Sequence, residues 1–256
     1  MQIEDVKNIA LEAGELIRSY FGKKFEVEYK KNESNLVTEV DKASENLIKE
    51  FINKKFPSHN ILAEEGGRIN NNGEYTWVVD PIDGTTNFAH GLPIFSVSIG
   101  IQKNDETVLG VVYDVMMDVM YSAEKGSGAF ANEKQMFVSN NSNLKHALLV
   151  TGFPYDISDN PDNALEKFAA LTKASRGMRR LGSAAIDFCY VSKGVFDGFW
   201  EVSLHPWDIC GGKLIAEEAG GLVTNFKGEQ INIYSKQILC TNGKIHNKMI
   251  EILCRN

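Results

Sequence analysis

Between Ile61 and Ala123 the chain sets five strand-like segments one after another with no helical pattern between them. Ile61–Ala63, Tyr75–Val79, Ile94–Ile101, Thr107–Val115 and Met120–Ala123 are apolar, and polar or glycine-rich turns such as Gly66-Gly67 and Lys125-Gly126 separate them. Short turns can join only antiparallel neighbours, because parallel strands need a long crossover. The first half is therefore expected to be a largely antiparallel sheet. A helical pair precedes it and supplies cover. Val6, Ile9, Ala10, Ala13, Leu16, Ile17 and Tyr20 repeat at helical spacing up to Gly22, and Val40, Ala43, Leu47, Phe51 and Phe56 repeat up to Pro57.

The polar run Ser139–Asn143 marks a change of pattern. Beyond it, helix and strand alternate: a strand at Ala147–Thr151, helices at Asn163–Ala174 and Ser183–Lys193, and a strand at Val195–Glu201. A helix over Asp208–Ala219, two more strands and a terminal helix from Ile245 follow. This predicts a mixed α/β sheet with flanking helices. The expected organisation is an α+β subdomain over 1–143 and an α/β subdomain over 144–256, joined in one structural unit.

At 256 residues the chain can bury a substantial core, and its net charge of −7 argues against a nucleic-acid or anionic-membrane partner held by bulk electrostatics. Cys189, Cys210, Cys240 and Cys254 form no CxxC pair, which excludes an ordinary zinc cluster or redox motif. With no basic n-region, no apolar h-region and no long apolar run, the expectation is a cytoplasmic protein with reduced cysteines.

The run WVVDPIDGTTNF, Trp77–Phe88, ends a buried-type strand with two like charges and no neighbouring Lys or Arg. Buried like charges are unfavourable unless something neutralises them. Other acids also sit at strand ends or helix starts: Asp41, Glu64 with Glu65, Glu201 and Asp208. Taken singly, most have plain readings. Asp41 and Asp208 suit helix starts, Glu64-Glu65 suits a solvated turn, and Asp80 or Asp83 can bond a turn's backbone. A divalent cation accounts for them together. Oxygen donors without His or Cys suit Mg²⁺, Mn²⁺ or Ca²⁺, and the amides after Asp83 can hold phosphate oxygens if Gly84-Thr-Thr opens a helix.

Several motifs then carry a resemblance: WVVDPIDGTTNF followed by GLPIFSVSIG, and WDICGGKLIAEEAGG at 207–221. Between and around them stand LVTEVD (36–41), AEE (63–65), GSAAID (182–187) and EVSLHPWD (201–208). Together they resemble the inositol monophosphatase family, within the lithium-sensitive, Mg²⁺-dependent phosphatase superfamily, across nearly the whole chain. The resemblance implies a layered αβαβα sandwich, a homodimer, and two or three Mg²⁺ per site with Mn²⁺ as a substitute. It implies that Glu64, Asp80 and the Ile82 carbonyl hold one ion, that Asp80, Asp83 and Asp208 hold another, and that Glu65 lies near a weaker third. Thr85, paired with Asp41, would orient and help deprotonate the attacking water. The Gly84 and Thr85 amides would hold the phosphate. Asp83, Gly182, Ser183, Ala184, Glu201 and Asp208 would line the alcohol side. The implied reaction is hydrolysis of a small phosphate monoester, inositol 1-phosphate foremost, without a phosphoenzyme. Fructose bisphosphatase or dual activity is the main alternative; histidinol phosphate, 3′-phosphoadenosine 5′-phosphate or a non-catalytic regulatory role stand further off.

Two positions depart from the family's usual pattern: Asn35 stands where Asp is common, and Ala63 where Gly is common. Neither is an implied ligand. His205 reads as a positioning residue and Trp207 as a packing anchor. Arg176, Arg179 and Arg180 read either as a solvated face or as a rim for a second phosphate. The loop Gly66–Gly73, rich in Gly and Asn, is expected to order over the metals with substrate.

Overall fold

The computed structural model describes residues 1–29 and 36–255; Asn35 lies outside them. Helix α1 (Ile3–Tyr20) is followed by an antiparallel pair, β1 (Val27–Tyr29) and β2 (Leu36–Thr38), and then by α2 (Glu39–Lys55). The strand run comes next: β3 (Asn60–Ala63), β4 (Gly67–Ile69), β5 (Tyr75–Asp83), the short helix α3 (Thr85–Ala89), β6 (Ser96–Lys103), β7 (Glu106–Asp114), β8 (Val119–Glu124), β9 (Ala129–Ala131) and β10 (Lys134–Gln135). Then follow β11 (Leu148–Thr151), α4 (Ala164–Ala174), β12 (Gly177–Arg179), α5 (Ala184–Ser192), β13 (Gly198–Val202), α6 (Pro206–Glu218), β14 (Leu222–Thr224), β15 (Gln237–Thr241) and α7 (His246–Leu253).

The strands from β3 to β10 form one eight-stranded sheet in the order β10-β9-β8-β7-β6-β5-β3-β4, and the later ones a five-stranded sheet in the order β12-β11-β13-β15-β14. The second sheet is mixed, with β11 parallel to both neighbours and the other pairs antiparallel. The first is antiparallel except at one joint. β4 folds back on the outer side of β3, the chain returns across it, and β5 therefore runs parallel to β3 with Ala63 opposite Val79. That exception sets Glu64, just past the end of β3, next to Asp80 within β5, and the Glu64 amide donates to the Val79 carbonyl at 3.2 Å.

Five layers result. α1 and α2 cover one face of the large sheet, α5 and α6 fill the space between the sheets, and α4 and α7 close the far side. Strand periodicity of two assigns the side chains. In β7, Val111 and Tyr113 meet the core under α1 and α2, while Val112 joins the core around α5 and α6. In β13, Trp200 and Val202 face α4 and α7, and Phe199 faces α5. Both faces are covered, so these strands read as continuous apolar runs and not as an alternation.

The middle layer is tight because small residues line its seam. A Cβ on Gly100 would lie 2.3 Å from Cys210 Sγ, and one on Gly110 would lie 2.5 Å from the Gly211 carbonyl oxygen. Only glycine lets the α6 backbone come this close to β6 and β7. The start of α6, carrying Asp208, is thereby brought to the acidic end of β5. The segment Gly66–Gly73 is not a free lid: residues 67–69 are paired as β4, and Asn60 binds the Asn71 amide (2.8 Å) and the Gly73 carbonyl (2.7 Å).

Candidate active site

In a regular strand, residues three apart point to opposite faces, so Asp80 and Asp83 should diverge. The pairing avoids this. Asp80 lies opposite Ser98 and Asp83 opposite Ser96, with a register shift between them that accommodates Pro81 and Ile82. An extra residue at a bulge restores the common face, and Pro81, lacking an amide hydrogen, suits a place where ladder bonds stop. Asp208 then comes in from α6. One carboxylate oxygen from each of Asp80, Asp83 and Asp208 lies within 4.8 Å of the others.

Each acid is held by backbone. Asp80 Oδ1 accepts the Ile82 amide at 3.1 Å. Asp83 accepts the Ala184 amide (3.1 Å), the Ala185 amide (2.7 Å) and the Ser183 hydroxyl, all from the start of α5, a hundred residues away. Asp208 Oδ2 accepts the His205 amide at 2.7 Å. His205 thus positions Asp208 through its backbone, while its exposed ring stacks on Trp207 at 5.1 Å. Trp207 in turn packs beside Val78, Cys210 and Ile233.

Electrostatically the cluster is unbalanced. Asp80 and Asp83 are 2 % and 7 % exposed, and none of the ion pairs among the described residues reaches either. Burial, then the charges of Glu64, Asp83 and Asp208, hold the Asp80 carboxyl well above the usual carboxylate range. Burial and Asp208 push Asp83 up to about 6, against the hydrogen bonds from α5 that favour its ionised form. An all-oxygen, like-charged set, two of its three members buried and none ion-paired to Lys or Arg among the described residues, fits a hard divalent ion.

Asp41 uses its two oxygens differently. As the third residue of α2 it caps the helix: its Oδ2 accepts the Thr38 amide (2.8 Å) and hydroxyl (2.5 Å). Its Oδ1 is left for the Thr85 hydroxyl, at 2.9 Å. Thr85 Oγ1 also lies 3.0 Å from the Ile82 carbonyl, so its single proton has two acceptors. Gly84, with φ of +102°, makes the sharp change from β5 into α3. Glu65 is anchored through its amide, which donates to Glu45 Oε2 at 2.8 Å.

A cavity of about 560 Å³ opens on the cluster. Asp83, Gly84, Gly182, Ser183, Ala184, Glu201 and Asp208 are all on its wall, whereas Asp41, Glu64, Glu65, Asp80, Ile82 and Thr85 lie outside that lining. Of the three clustered arginines only Arg180 reaches the wall. Glu201 comes from β13 and fits because Gly152 has no side chain: a Cβ there would be 2.2 Å from Glu201 Oε1. Burial, Asp208 and Asp83 push the Glu201 carboxyl well up.

Tyr155 and Asp187 are among the wall residues that escape the sequence reading. Tyr155 sits in the loop after β11, an exposed residue whose phenol group is turned into the site, where burial with the field of Glu64, Asp208 and Asp80 pushes it up; no pattern in the sequence marks it. Asp187 ends the GSAAID motif, and its helical spacing from Ser183 was the available signal.

The comparisons with known proteins follow the same lines. The sequence profile of the inositol monophosphatase family matches residues 2–256. The chain belongs to the inositol monophosphatase family. It is 40 % identical to the fructose-1,6-bisphosphatase/inositol-1-monophosphatase of Aquifex aeolicus, over 98 % of this chain and 94 % of the relative. The inositol monophosphatase structure from Anabaena (Nostoc) sp. PCC 7120 superposes with a TM-score of 0.90 at 41 % identity, over 99 % of this chain and 95 % of that one. The structure of SaIMPase-II with inositol monophosphate bound has a TM-score of 0.82 at 33 % identity, over 98 % and 93 %. An inositol monophosphatase family member with this acidic cluster is a metal-dependent phosphatase acting on a small phosphorylated substrate. No helix among the described residues is long and apolar enough to cross a membrane.

Proposed function

We propose that this family member hydrolyses a sugar or cyclitol phosphate monoester, myo-inositol 1-phosphate foremost, with Mg²⁺ as its cation and Mn²⁺ as a workable substitute. One observation carries the reading: three carboxylates, Asp80 and Asp83 of β5 and Asp208 of α6, converge beside a polar cavity that Asp83 and Asp208 line, and among the described residues no Lys or Arg pairs with them. Asp80, Asp83 and Asp208, with Glu64 and the Ile82 carbonyl, would hold the ions. When bound, they supply positive charge against the phosphoryl and leaving oxygens and favour ionisation of the attacking water.

The chain's own residues do the rest. Thr85, its hydroxyl directed to Asp41 Oδ1, accepts a hydrogen bond from water and aligns it with phosphorus; Asp41 is placed to take up the proton through Thr85. The first amides of the segment after Asp83 have no intrahelical partners and face the phosphoryl oxygens. Ser183, Ala184 and Glu201 hold the alcohol, which leaves as phosphorus–oxygen bonding passes to water. Lithium inhibition, a homodimer and residence in the cytoplasm belong to the same reading.

A dual fructose-1,6-bisphosphatase activity is the second reading, and Arg180 on the cavity wall favours it as a partner for a second phosphate. The deciding experiment ranks phosphate esters by kcat/KM with Mg²⁺. Inositol 1-phosphate is expected first. Hydrolysis that survives chelation of divalent ions would sink the reading, and a higher rank for fructose 1,6-bisphosphate would replace the substrate.

A further inference from the structure

Helix α2 carries three buried polar side chains at helical spacing, Asp41, Ser44 and Glu45, and each reaches a different part of the site. Asp41 meets Thr85 at the start of α3, and the Ser44 hydroxyl donates to the Pro81 carbonyl in the β5 bulge at 3.2 Å. Glu45 reaches the turn after β3. Its Oε2 accepts the Glu65 amide at 2.8 Å, and its Oε1 takes Lys49 Nζ at 2.5 Å. The turn lies directly on this pair: a Cβ on Gly66 would run into Lys49 Nζ and lie 2.7 Å from Glu45 Oε1. Glu64 is therefore pinned on both sides of its Cα. Its own amide is bonded to the Val79 carbonyl of β5, and the amide that follows it is bonded to α2. A plain reading makes Glu45–Lys49 a helix-stabilising pair at i, i+4 spacing. That reading does not account for the burial, because Glu45 is 2 % exposed and a buried ion pair gives little net stability. Nor does it account for the oxygen given to another segment's amide.

We propose that Glu45 is a positioning residue for the metal centre: through the Glu65 amide it fixes the backbone of Glu64, and so sets the affinity for Mg²⁺. This rests on the reading of Glu64 as a metal ligand and names what holds that ligand in place. The Glu64 side chain starts from a Cα whose two flanking peptide groups are tied to β5 and to α2, so it meets an ion without first ordering the turn. A carboxylate suits the task, since its bonds to backbone amides are shorter and stronger than neutral ones. Lys49 neutralises Glu45 on the spot, which keeps one more acid from adding to the repulsion that Glu64, Asp83 and Asp208 exert on Asp80.

The test titrates the metal-free protein with Mg²⁺ by isothermal calorimetry, alongside Tm in EDTA and rates on inositol 1-phosphate across a range of Mg²⁺ concentrations. Glu45→Ala, Glu45→Gln, Gly66→Ala and Glu64→Gln are compared with wild type. Glu45→Ala is expected to weaken Mg²⁺ binding by about 10–100-fold, with kcat returning to within about threefold of wild type at saturating Mg²⁺. Glu45→Gln keeps an oxygen for the Glu65 amide and is expected to bind Mg²⁺ within about threefold of wild type. Gly66→Ala drives the turn and the pair apart without altering Glu45 itself, and is expected to weaken binding about threefold or more; it decides the matter if Glu45→Ala does not fold. Unchanged Mg²⁺ affinity in Glu45→Ala, whatever its Tm, overturns the proposal and makes Glu45 structural. Unchanged affinity in Gly66→Ala, or a Gln variant as weak as the Ala one, overturns it too. Wild-type affinity in Glu64→Gln refutes the ligand reading and the proposal with it. A weakened Glu64→Gln beside an unaltered Glu45→Ala refutes the proposal alone.

Discussion

Replacing Asp80 by Asn separates the cation's contribution to the fold from its contribution to the chemistry. Two like charges 4.8 Å apart repel by about 3.5 kcal/mol at an effective dielectric constant near 20. Asp80 faces Asp83 and Asp208, with Glu64 close behind. Part of that repulsion is already relieved by proton uptake, because Asp80 is held well above the carboxylate range. The amide oxygen of Asn can keep the Ile82 bond, and its NH₂ group can donate to the neighbouring acids. The metal-free variant is therefore expected to be more stable than wild type by about 1–2 kcal/mol, which for a chain of this size raises Tm by roughly 2–8 °C. With Mg²⁺ the order reverses, since the wild type gains binding free energy that the variant cannot match. Activity falls about 10³-fold or more. The assay is thermal unfolding by circular dichroism at pH 7.5, in EDTA and then in saturating Mg²⁺. If the variant melts below wild type in EDTA, or Mg²⁺ raises both equally, the claim that the acids lack a protein counter-charge is refuted.

Asp83 gives a pH test. Its ordinary value of 3.8 rises to about 6 in the fold, so the folded state binds the proton more tightly than the unfolded chain. Its contribution of about 3 kcal/mol is fully present below pH about 4 and lost as pH rises through 6. The increment in Tm on adding Mg²⁺ should accordingly grow between pH 4.5 and 7, and a flat increment counts against the assignment. Thr85→Ala should lower kcat about 100-fold with little change in KM, whereas Thr85→Ser should stay within about fivefold of wild type; equal kinetics for the two would remove the hydroxyl from the mechanism. Gly110→Ala sets a Cβ 2.5 Å from the Gly211 carbonyl oxygen, so α6 must move, costing about 1–3 kcal/mol and lowering kcat as Asp208 shifts. A variant with wild-type Tm and kcat would mean that the seam does not locate Asp208.

Much of this was legible before any coordinates, and the reasons are local. Five apolar runs and two amphipathic helices reflect periodicity and burial, and the acids stand where strands stop or helices start. What could not be read is non-local. β3 and β5 are parallel because the chain crosses β3 after β4, and no residue type signals that crossing. The bulge at Pro81-Ile82 depends on the partner strand's register. Asp83 reads as a metal ligand, yet its three donors come from the start of α5 and are invisible without the tertiary fold. Gly152 reads as an ordinary turn glycine until Glu201 occupies the space beside it. The short strands β1, β2, β4, β9, β10 and β12 also escape the reading, since a few residues cannot establish a period.

The clasp between Asp83 and the start of α5 bears on how such enzymes can be recombined. Asp41, Glu64, Asp80, Asp83 and Thr85 all precede Ser139–Asn143, whereas Gly152, Ser183, Asp187 and Glu201 all follow it. Under the function proposed above, a crossover in that polar run would exchange the part of the cavity wall that follows it, Gly152, Ser183, Asp187 and Glu201 included, while keeping Asp83 and Gly84 and the groups assigned to water activation. The incoming half must bring an acid at 208, amides free to receive Asp83, and glycine at 211 to lie against Gly110. Under that proposal, much of the leaving-group wall is transferable as a single segment, with three contact points as the conditions of compatibility.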